Sequence, residues 1–408
     1  MIFLILVPLY LLVNYYILRR SLKWMGNFTK LLTRKWFVIP YILIYIFVST
    51  SMLIAFWLPS SSFQRFMKVL SNNWLGTMMY ALIFMGIADL GKLIGKWTGF
   101  LSKETVNSRK VFAVVGSIVM ICVIGLSTYG VFHAQKLKKT TYEVSIEKST
   151  GTMRQLNAVL IADLHLGYNV GVKQVTRMVN MINEMHPDIV CIAGDIFDND
   201  YDALDQPEKL KELLRSIQTT YGVYACYGNH DIKEALLGGF QVTHSDKKVS
   251  DDRMDQFLAD ANIQLLNDQT VLINDSFYLM GRLDYSNPGK TADVRKTPAE
   301  MTQFLDKTKP ILAIDHQPRE LHEMANAGVD IDLSGHTHDG QMFPGNLTIK
   351  FFWENACGYI KKDAMHSIVT SGVGLWGPNM RVGTDAEVVQ VIVNFANGEV
   401  PTVAGQIE

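Results

Sequence analysis

The sequence predicts an α/β domain of stacked layers that follows a membrane-embedded region of four helices. Three observations carry this reading. Before about Phe132 the chain is dominated by long apolar runs, whereas beyond it charged residues and the periodicities of helix and strand take over. In that second part, five apolar strand-like runs each stop at carboxylate, imidazole or amide side chains. Helical patterns alternate with those runs, as they do in layered α/β folds. With 408 residues the chain is long enough for two domains, and a net charge of -1 offers no electrostatic footprint for a nucleic-acid partner.

Four stretches are long enough to cross a hydrocarbon core of roughly 30 Å, which takes about 20 helical residues. They are Met1 to Leu18, Trp36 to Leu58, Asn73 to Gly91 and Val111 to Phe132. The first lacks the basic start and Ala-x-Ala-like site of a cleaved signal peptide. Tyr15, Tyr16, Arg19 and Arg20 instead read as an interfacial anchor, so this stretch is expected to remain as a span. Arg19, Arg20, Lys23, Lys30, Arg34 and Lys35 fall between spans one and two, and Lys92, Lys96, Lys103, Arg109 and Lys110 between spans three and four. Only Arg65 and Lys68 lie between spans two and three. The positive-inside tendency then places the first and third loops in the cytoplasm and the domain after Phe132 outside it. Asp89 and Lys92 read as an i, i+3 pair at the headgroup level. Cys122, Cys191, Cys226 and Cys357 show no metal or CxxC spacing and read as buried thiols, not a disulfide framework.

Residues 133–140 form a polar connector, and the domain is expected to span 141–408, opening with the alternating strand Tyr142 to Glu147. Val159 to His165 is a strand ending at Asp163 and His165. A helix follows, with Val172, Val175, Met178, Val179, Ile182 and Met185 on one face and Pro187 as its stop. Asp188 to Asp198 is a buried strand that delivers Asp195 and Asp198 just past a glycine, and a helix opens at Pro207. Val223 to Asp231 carries Gly-Asn-His-Asp. Ile232 to Asp252 reads as a loop beside the site. A helix near Met254 to Ala261, strands Gln264 to Ile273 and Ser276 to Gly281, a capped helix from Thr297 to about Lys307, and a helix Arg319 to Ala327 complete the scaffold. The remaining strand ends are Ile311 to His316 and Ile331 to His338.

Ligand-type residues at several strand ends are where an α/β sheet puts its active site. Asp163, His165, Asp195, Asn229, His316, His336 and His338 are too many ligands for one ion and fit two that share a bridge. Mixed carboxylate, imidazole and amide donors suit divalent manganese, iron or zinc. So many polar groups converging without metal would be costly to bury. His133, His186, His244, His322 and His366 have no paired ligand at metal spacing and read as ordinary histidines.

The blocks Asp163-Leu-His165, Gly194-Asp195-Ile-Phe-Asp198, Gly228-Asn-His-Asp231, His316 and Gly335-His-Thr-His338 resemble the calcineurin-like metallophosphoesterase superfamily over roughly Thr141 to the C-terminus. Leu333 to Gln341 and the glycine-rich tail Thr370 to Arg381 resemble its bacterial membrane-associated branch and the transmembrane proteins with a metallophosphoesterase domain. That branch often carries glycine where this chain has Asp339. The resemblance implies a four-layer α/β/β/α sandwich with a two-metal centre. It assigns Asp163, His165 and His338 to one metal, Asn229, His316 and His336 to the other, and Asp195 to both. It puts His230 over the phosphate, where it can stabilise charge or protonate the leaving oxygen, with Asp198 or Asp231 to orient it. Arg381 and Trp376 of the tail are candidate substrate contacts, the arginine through paired hydrogen bonds to phosphate.

The expected function is a multi-pass membrane phosphohydrolase that cleaves a monoester or diester with water activated between two metals. A membrane tether favours a phospholipid, a lipid-linked sugar phosphate or a cell-envelope intermediate, with a soluble nucleotide as the alternative. A non-catalytic scaffold would have lost ligands, and none is missing. A sensor or transporter with an accessory phosphoesterase domain would need more polarity within the spans than Asp89 and Lys92 supply.

Overall fold

The computed structural model describes residues 3–233, 236–237, 240–241, 251–287 and 294–396. The chain divides into two compact units, one holding Met1–His133, Leu237–Gly239 and Gly377–Val382, the other Ala134–Leu236, Phe240–Trp376 and Gly383–Glu408.

The first unit is helical: α1 (Phe3–Phe28), α2 (Lys35–Trp57), α3 (Ser62–Trp97), the short α4 (Lys103–Asn107) and α5 (Arg109–His133). The Ser61 and Ser102 hydroxyls cap the N-terminal ends of α3 and α4. Among the described residues three helices, α2, α3 and α5, are long and apolar enough to cross a membrane, against the four spans expected. Helix α1 is continuous, but Asn14, Arg19, Arg20, Ser21 and Lys23 dilute its apolar character. Asn14 is buried in the bundle, where its side-chain oxygen accepts from Trp74 at 3.2 Å and its carbonyl from the Tyr45 hydroxyl at 2.9 Å. The expected Asp89–Lys92 pair is corrected: Asp89 meets Arg20 at 2.7 Å and the Tyr16 hydroxyl at 2.7 Å. A partner on the neighbouring helix has displaced the local one.

The second unit runs β1 (Leu137–Ile146), β2 (Gln155–Ile161), α6 (Val172–Glu184), β3 (Ile189–Ala193), α7 (Pro207–Arg215), β4 (Val223–Cys226), the two-residue strands β5 (Leu236–Leu237) and β6 (Phe240–Gln241), and α8 (Asp252–Asp260). It continues through β7 (Ile263–Leu265), β8 (Gln269–Ile273), β9 (Phe277–Gly281), α9 (Pro298–Thr302), β10 (Ile311–Ile314), α10 (Leu321–Asn326), β11 (Ile331–Ser334), α11 (Gly345–Thr348), β12 (Gly358–Lys362), β13 (Met365–Val369) and β14 (Ala386–Phe395). Two six-stranded sheets result, in the orders β1-β14-β2-β3-β4-β7 and β12-β13-β11-β10-β9-β8. Between them lies a core that joins Leu160, Cys191 and Tyr224 to Leu279, Ile314, Leu333 and Ile368. Val175, Met178 and Ile182 of α6, Leu210 of α7 and Phe257 of α8 cover the outer face of the first sheet. Met301, Leu321 and Met324 cover the second. The architecture is therefore the α/β/β/α sandwich.

Three boundaries differ from expectation for identifiable reasons. Strand β1 starts at Leu137, inside the expected connector, because β14 pairs with it in parallel along its whole length. Gln264 to Ile273 is two strands in different sheets, broken where Asp268 adopts φ 49° and its carboxylate accepts the backbone N–H groups of Leu283 and Lys296. Helix α9 has the expected capping box between Thr297 and Glu300 but ends at Thr302. Most of the Ile232 to Asp252 loop, with Gly238, Gly239 and His244, lies outside the described residues. All four cysteines are free, with Cys191 and Cys226 buried.

Leu160 is fully buried between the two sheets. Leu160→Ala is expected to destabilise the protein by about 2–5 kcal/mol, through lost transfer free energy plus a cavity. Urea unfolding of the detergent-solubilised protein measures it.

Candidate metal centre

Five loops at the carboxyl ends of β2, β3, β4, β10 and β11 converge. The first two are zipped together: the Asp163 N–H donates to the Gly194 carbonyl at 3.0 Å and the His165 N–H to the Asp195 carbonyl at 2.9 Å. The third is tied to them by the His230 N–H, which donates to Asp195 Oδ1 at 2.8 Å. The fifth is tied by the His336 N–H, 2.9 Å from Asp163 Oδ2. Asp163, His165, Asp195, His336 and His338 all have positive φ, between 45° and 74°. Such backbone is disfavoured for residues with a Cβ and gathers at functional sites, where the surroundings hold it.

Two sets of expected ligand atoms each lie within 4.8 Å of one another, Asp163, His165 and His338, and Asp195, His316 and His336, and a third such set joins His165 to Asp198 and His230. Asn229 Oδ1 joins the second at 3.2 Å from His316 Nε2. Asp195 Oδ2 stands between the sets, 3.1 Å from His316 Nε2 and 3.6 Å from His165 Nε2. All seven expected ligands are therefore brought together. His316 Nδ1 is 2.8 Å from the Ala193 carbonyl, which fixes its proton there and leaves Nε2 for the cluster.

The electrostatics fit a cation. Burial pushes the Asp163 carboxyl up to about 6 and the His336 imidazole down to about 3. Burial opposes charge at His316 too, yet Asp195 raises its pKa well above the ordinary value. Burial likewise opposes charge at Asp195, and His316 holds that carboxyl well below the usual range. A cluster whose carboxylates raise the pKa of a fully buried imidazole is short of positive charge. Nitrogen and oxygen donors with no thiolate suit a borderline divalent ion.

His230 stands beside the cluster, its ring centroid 5.1 Å from that of His165 and 6.2 Å from that of half-exposed Trp376. The residue facing its Nδ1 is Asn199, through the side-chain oxygen. Neither expected carboxylate fills that place. Asp198 lies 3.4 Å from His165 Nδ1, and Asp231 accepts the backbone N–H groups of Phe197 and Gly228, each at 2.7 Å. Asp231 thereby fastens one loop to another, and burial pushes its carboxyl up to about 7. Arg381 is fully buried in the helical unit, with its backbone N–H on the Gly130 carbonyl at 3.0 Å. Earlier residues of the tail do reach the site: the Gly374 N–H donates to the Asp163 carbonyl at 2.8 Å, and a Cβ on Gly372 would sit 2.7 Å from that of Asp163. Asp339, where the related branch often has glycine, has φ 51°, a region glycine enters without strain.

Several supporting residues escaped sequence reasoning. Asn199 adjoins Asp198, and the Gly-Asp-Ile-Phe-Asp-Asn run could have flagged it. The Asn287 amide donates to the Asn229 carbonyl at 2.9 Å. Asp315 is gripped by buried Arg282 at 2.9 Å and Arg295 at 3.0 Å, both of which also reach Glu320. This network holds the chain just before His316. Trp353 lies 5.0 Å from the His336 ring, with the Arg319 guanidinium 4.4 Å above it. His322 and His366 stay outside, facing Asp363 and Tyr359.

Residues 156–340 match the calcineurin-like phosphoesterase family. The chain is 30% identical over 353 residues to a transmembrane protein with metallophosphoesterase domain from Danio rerio, covering 81% of this chain and 75% of that protein. A Campylobacter jejuni metallophosphoesterase is 26% identical over 391 residues, 93% of this chain and 94% of its own. The UDP-2,3-diacylglucosamine pyrophosphatase of Chlamydia trachomatis is 23% identical over 239 residues, 50% of this chain and 70% of its own. Among solved structures, a dimetal phosphatase from Danio rerio aligns with a TM-score of 0.34 at 13% identity, over 54% of this chain and 88% of that one.

Gly194 has φ 76°, and an added Cβ would lie 2.6 Å from His316 Nδ1. Gly194→Ala is expected to displace that imidazole and lower bound metal measured by elemental analysis, while His322→Ala leaves metal content unchanged.

Proposed function

The chain belongs to the calcineurin-like metallophosphoesterase family and is a phosphoester hydrolase, and on that premise we propose that it is a multi-pass membrane enzyme that cleaves a lipid-linked or cell-envelope phosphoester at a two-metal centre. The observation that carries this reading is the place of Asp195 Oδ2 between two complete donor sets. Asp163, His165 and His338 would hold one divalent cation, Asn229, His316 and His336 the other, and Asp195 both. Bound there, the pair would neutralise the phosphoryl oxygens and acidify a water between them.

The protein's own groups then have separable tasks. With Nδ1 of His230 donating a hydrogen bond to the Asn199 side-chain oxygen, Nε2 is the atom that turns toward substrate. Protonated, it donates to the phosphoryl oxygen or to the departing alkoxide. Burial lowers the pKa of His230, so the proton it carries is readily given up. Asp198 orients His165, and Asp231 keeps the His230 loop against the Asp195 loop. Trp376 and Trp353 are aromatic walls on the His230 and His336 sides. A lipid-linked substrate is supported by the apolar helices and by the similarity to a pyrophosphatase of a diacylated sugar nucleotide.

Asp195→Asn is expected to lower metal content and turnover together. His230→Ala should keep both metals and lower kcat, least with a nitrophenyl ester whose leaving group needs no proton. Two full metal equivalents with unaltered turnover in Asp195→Asn would remove the bridging assignment.

The loop charges favour a domain after Phe132 that lies outside the cytoplasm. Protease added to spheroplasts should digest that domain and spare a tag between Arg20 and Lys35. Digestion of the tag with protection of the domain reverses the orientation.

A further inference from the structure

The segment that follows the His338 turn carries large apolar side chains in water beside the metal centre. Phe343 is 45% exposed, Leu347 54%, Phe351 85% and Phe352 76%. Phe343 precedes the short helix α11, Leu347 lies within it, and Phe351 and Phe352 follow it. From Gln341 through Trp353 the sole charged residue is Lys350, which is exposed. Exposed apolar residues scattered singly are ordinary, but this many on one short segment form a patch that marks an interaction surface.

The patch is fastened to the site at both ends. At its start, the Gly345 N–H donates to the Met342 carbonyl at 2.6 Å, and Gly340 and Gly345 approach so closely that a Cβ on either would collide with the other's backbone. Gly340 closes the 3-10 turn that begins at His338. At its end, Trp353 packs on the His336 ring, and the Thr337 hydroxyl donates to the Ala356 carbonyl. Whatever covers Phe351 and Phe352 therefore lies one residue from a side chain in contact with a candidate metal ligand.

We propose that segment 343–352 inserts its aromatic side chains into a bilayer surface containing anionic lipid, and that the centre draws its phosphoester directly from that surface, the apolar part of the substrate remaining in the lipid. The substrate half of this rests on the phosphohydrolase reading; the insertion half does not. A bilayer fits better than a protein partner for two reasons. The domain is joined within a few residues of His133 to membrane-length helices, which keeps it at high effective concentration beside lipid. The segment also has the composition of an interfacial anchor, aromatic and aliphatic side chains with a lysine able to extend to headgroups and no acidic residue to repel them.

The test uses the full chain in vesicles of phosphatidylcholine with phosphatidylglycerol. Phe352→Cys carries an environment-sensitive nitrobenzoxadiazole label, with Cys122→Ala and Cys357→Ala removing the two less buried thiols. The emission is expected to shift to the blue and to be quenched by spin-labelled acyl chains but not by aqueous iodide. The same label at exposed Lys209→Cys should show the reverse. Iodide quenching at position 352 equal to that at 209 overturns the insertion, as does protection from both quenchers, which means coverage by protein. Phe351→Ser with Phe352→Ser is expected to lower turnover of a vesicle-embedded lipid phosphate by at least about tenfold, since burial of even one aromatic is worth that much, while leaving a soluble nitrophenyl phosphoester unaffected. Equal loss on both esters overturns surface delivery. Absence of turnover of the soluble ester by the unsubstituted, metal-loaded protein overturns the phosphohydrolase reading instead, and the fluorescence then decides insertion alone.

Discussion

Everything in the second unit answers to one constraint, the burial of Asp195 and Asp163 together at the ends of adjacent parallel strands. Two carboxylates removed from water repel each other and lose hydration, which is expensive unless positive charge and hydrogen-bond donors surround them. The fold supplies the donors from its backbone: the His230 N–H to Asp195 and the His336 N–H to Asp163. It supplies the charge from imidazoles whose own burial opposes protonation. A divalent ion resolves the conflict better than a proton can, because it binds several donors at once and lets the imidazoles remain neutral.

That constraint also explains why so much of the scaffold is rigid near the site. Left-handed backbone at five ligand residues persists only where the surroundings hold it in place. The zipped loops after β2 and β3, the glycines of the tail pressed on Asp163, and the double arginine grip on Asp315 do that holding. Some of these contacts fix the backbone of a candidate ligand or of its neighbour, and Gly372 lies against the Asp163 side chain itself. Precision at the donor atoms follows from immobility several bonds away.

The convergence of the candidate ligands was legible because parallel strands leave a sequence trace: an apolar run, then a polar residue at the point where the sheet stops protecting the chain. Gly194-Asp195 and Gly228-Asn229-His230 show it plainly. What was not legible depends on contacts distant in sequence. Asn199 facing His230, Asp198 turning to His165, and Asp231 serving as a fastener are decided by how loops cross, which spacing does not encode. Arg381 carried the chemistry of a phosphate ligand but is buried among helices. The Gln264 to Ile273 pattern alternates as one strand should, and only Asp268's turned backbone splits it between sheets. Asp89 took Arg20 as partner because helix packing outweighs a surface pair of a few tenths of a kcal/mol.

The pairing of β1 with β14 bears on how the molecule is made. Strand β14 lies between β1 and β2, so β1 has no neighbour in the sheet until β14 arrives, and Thr141 waits for Gln390, 249 positions later. During synthesis the segment leaving α5 must stay slack while the rest of the domain emerges, and only the closing strand draws it taut. Insertion of the helices and completion of the sheet are thereby separated in time. The helices can settle in lipid before the folded domain has any purchase on them.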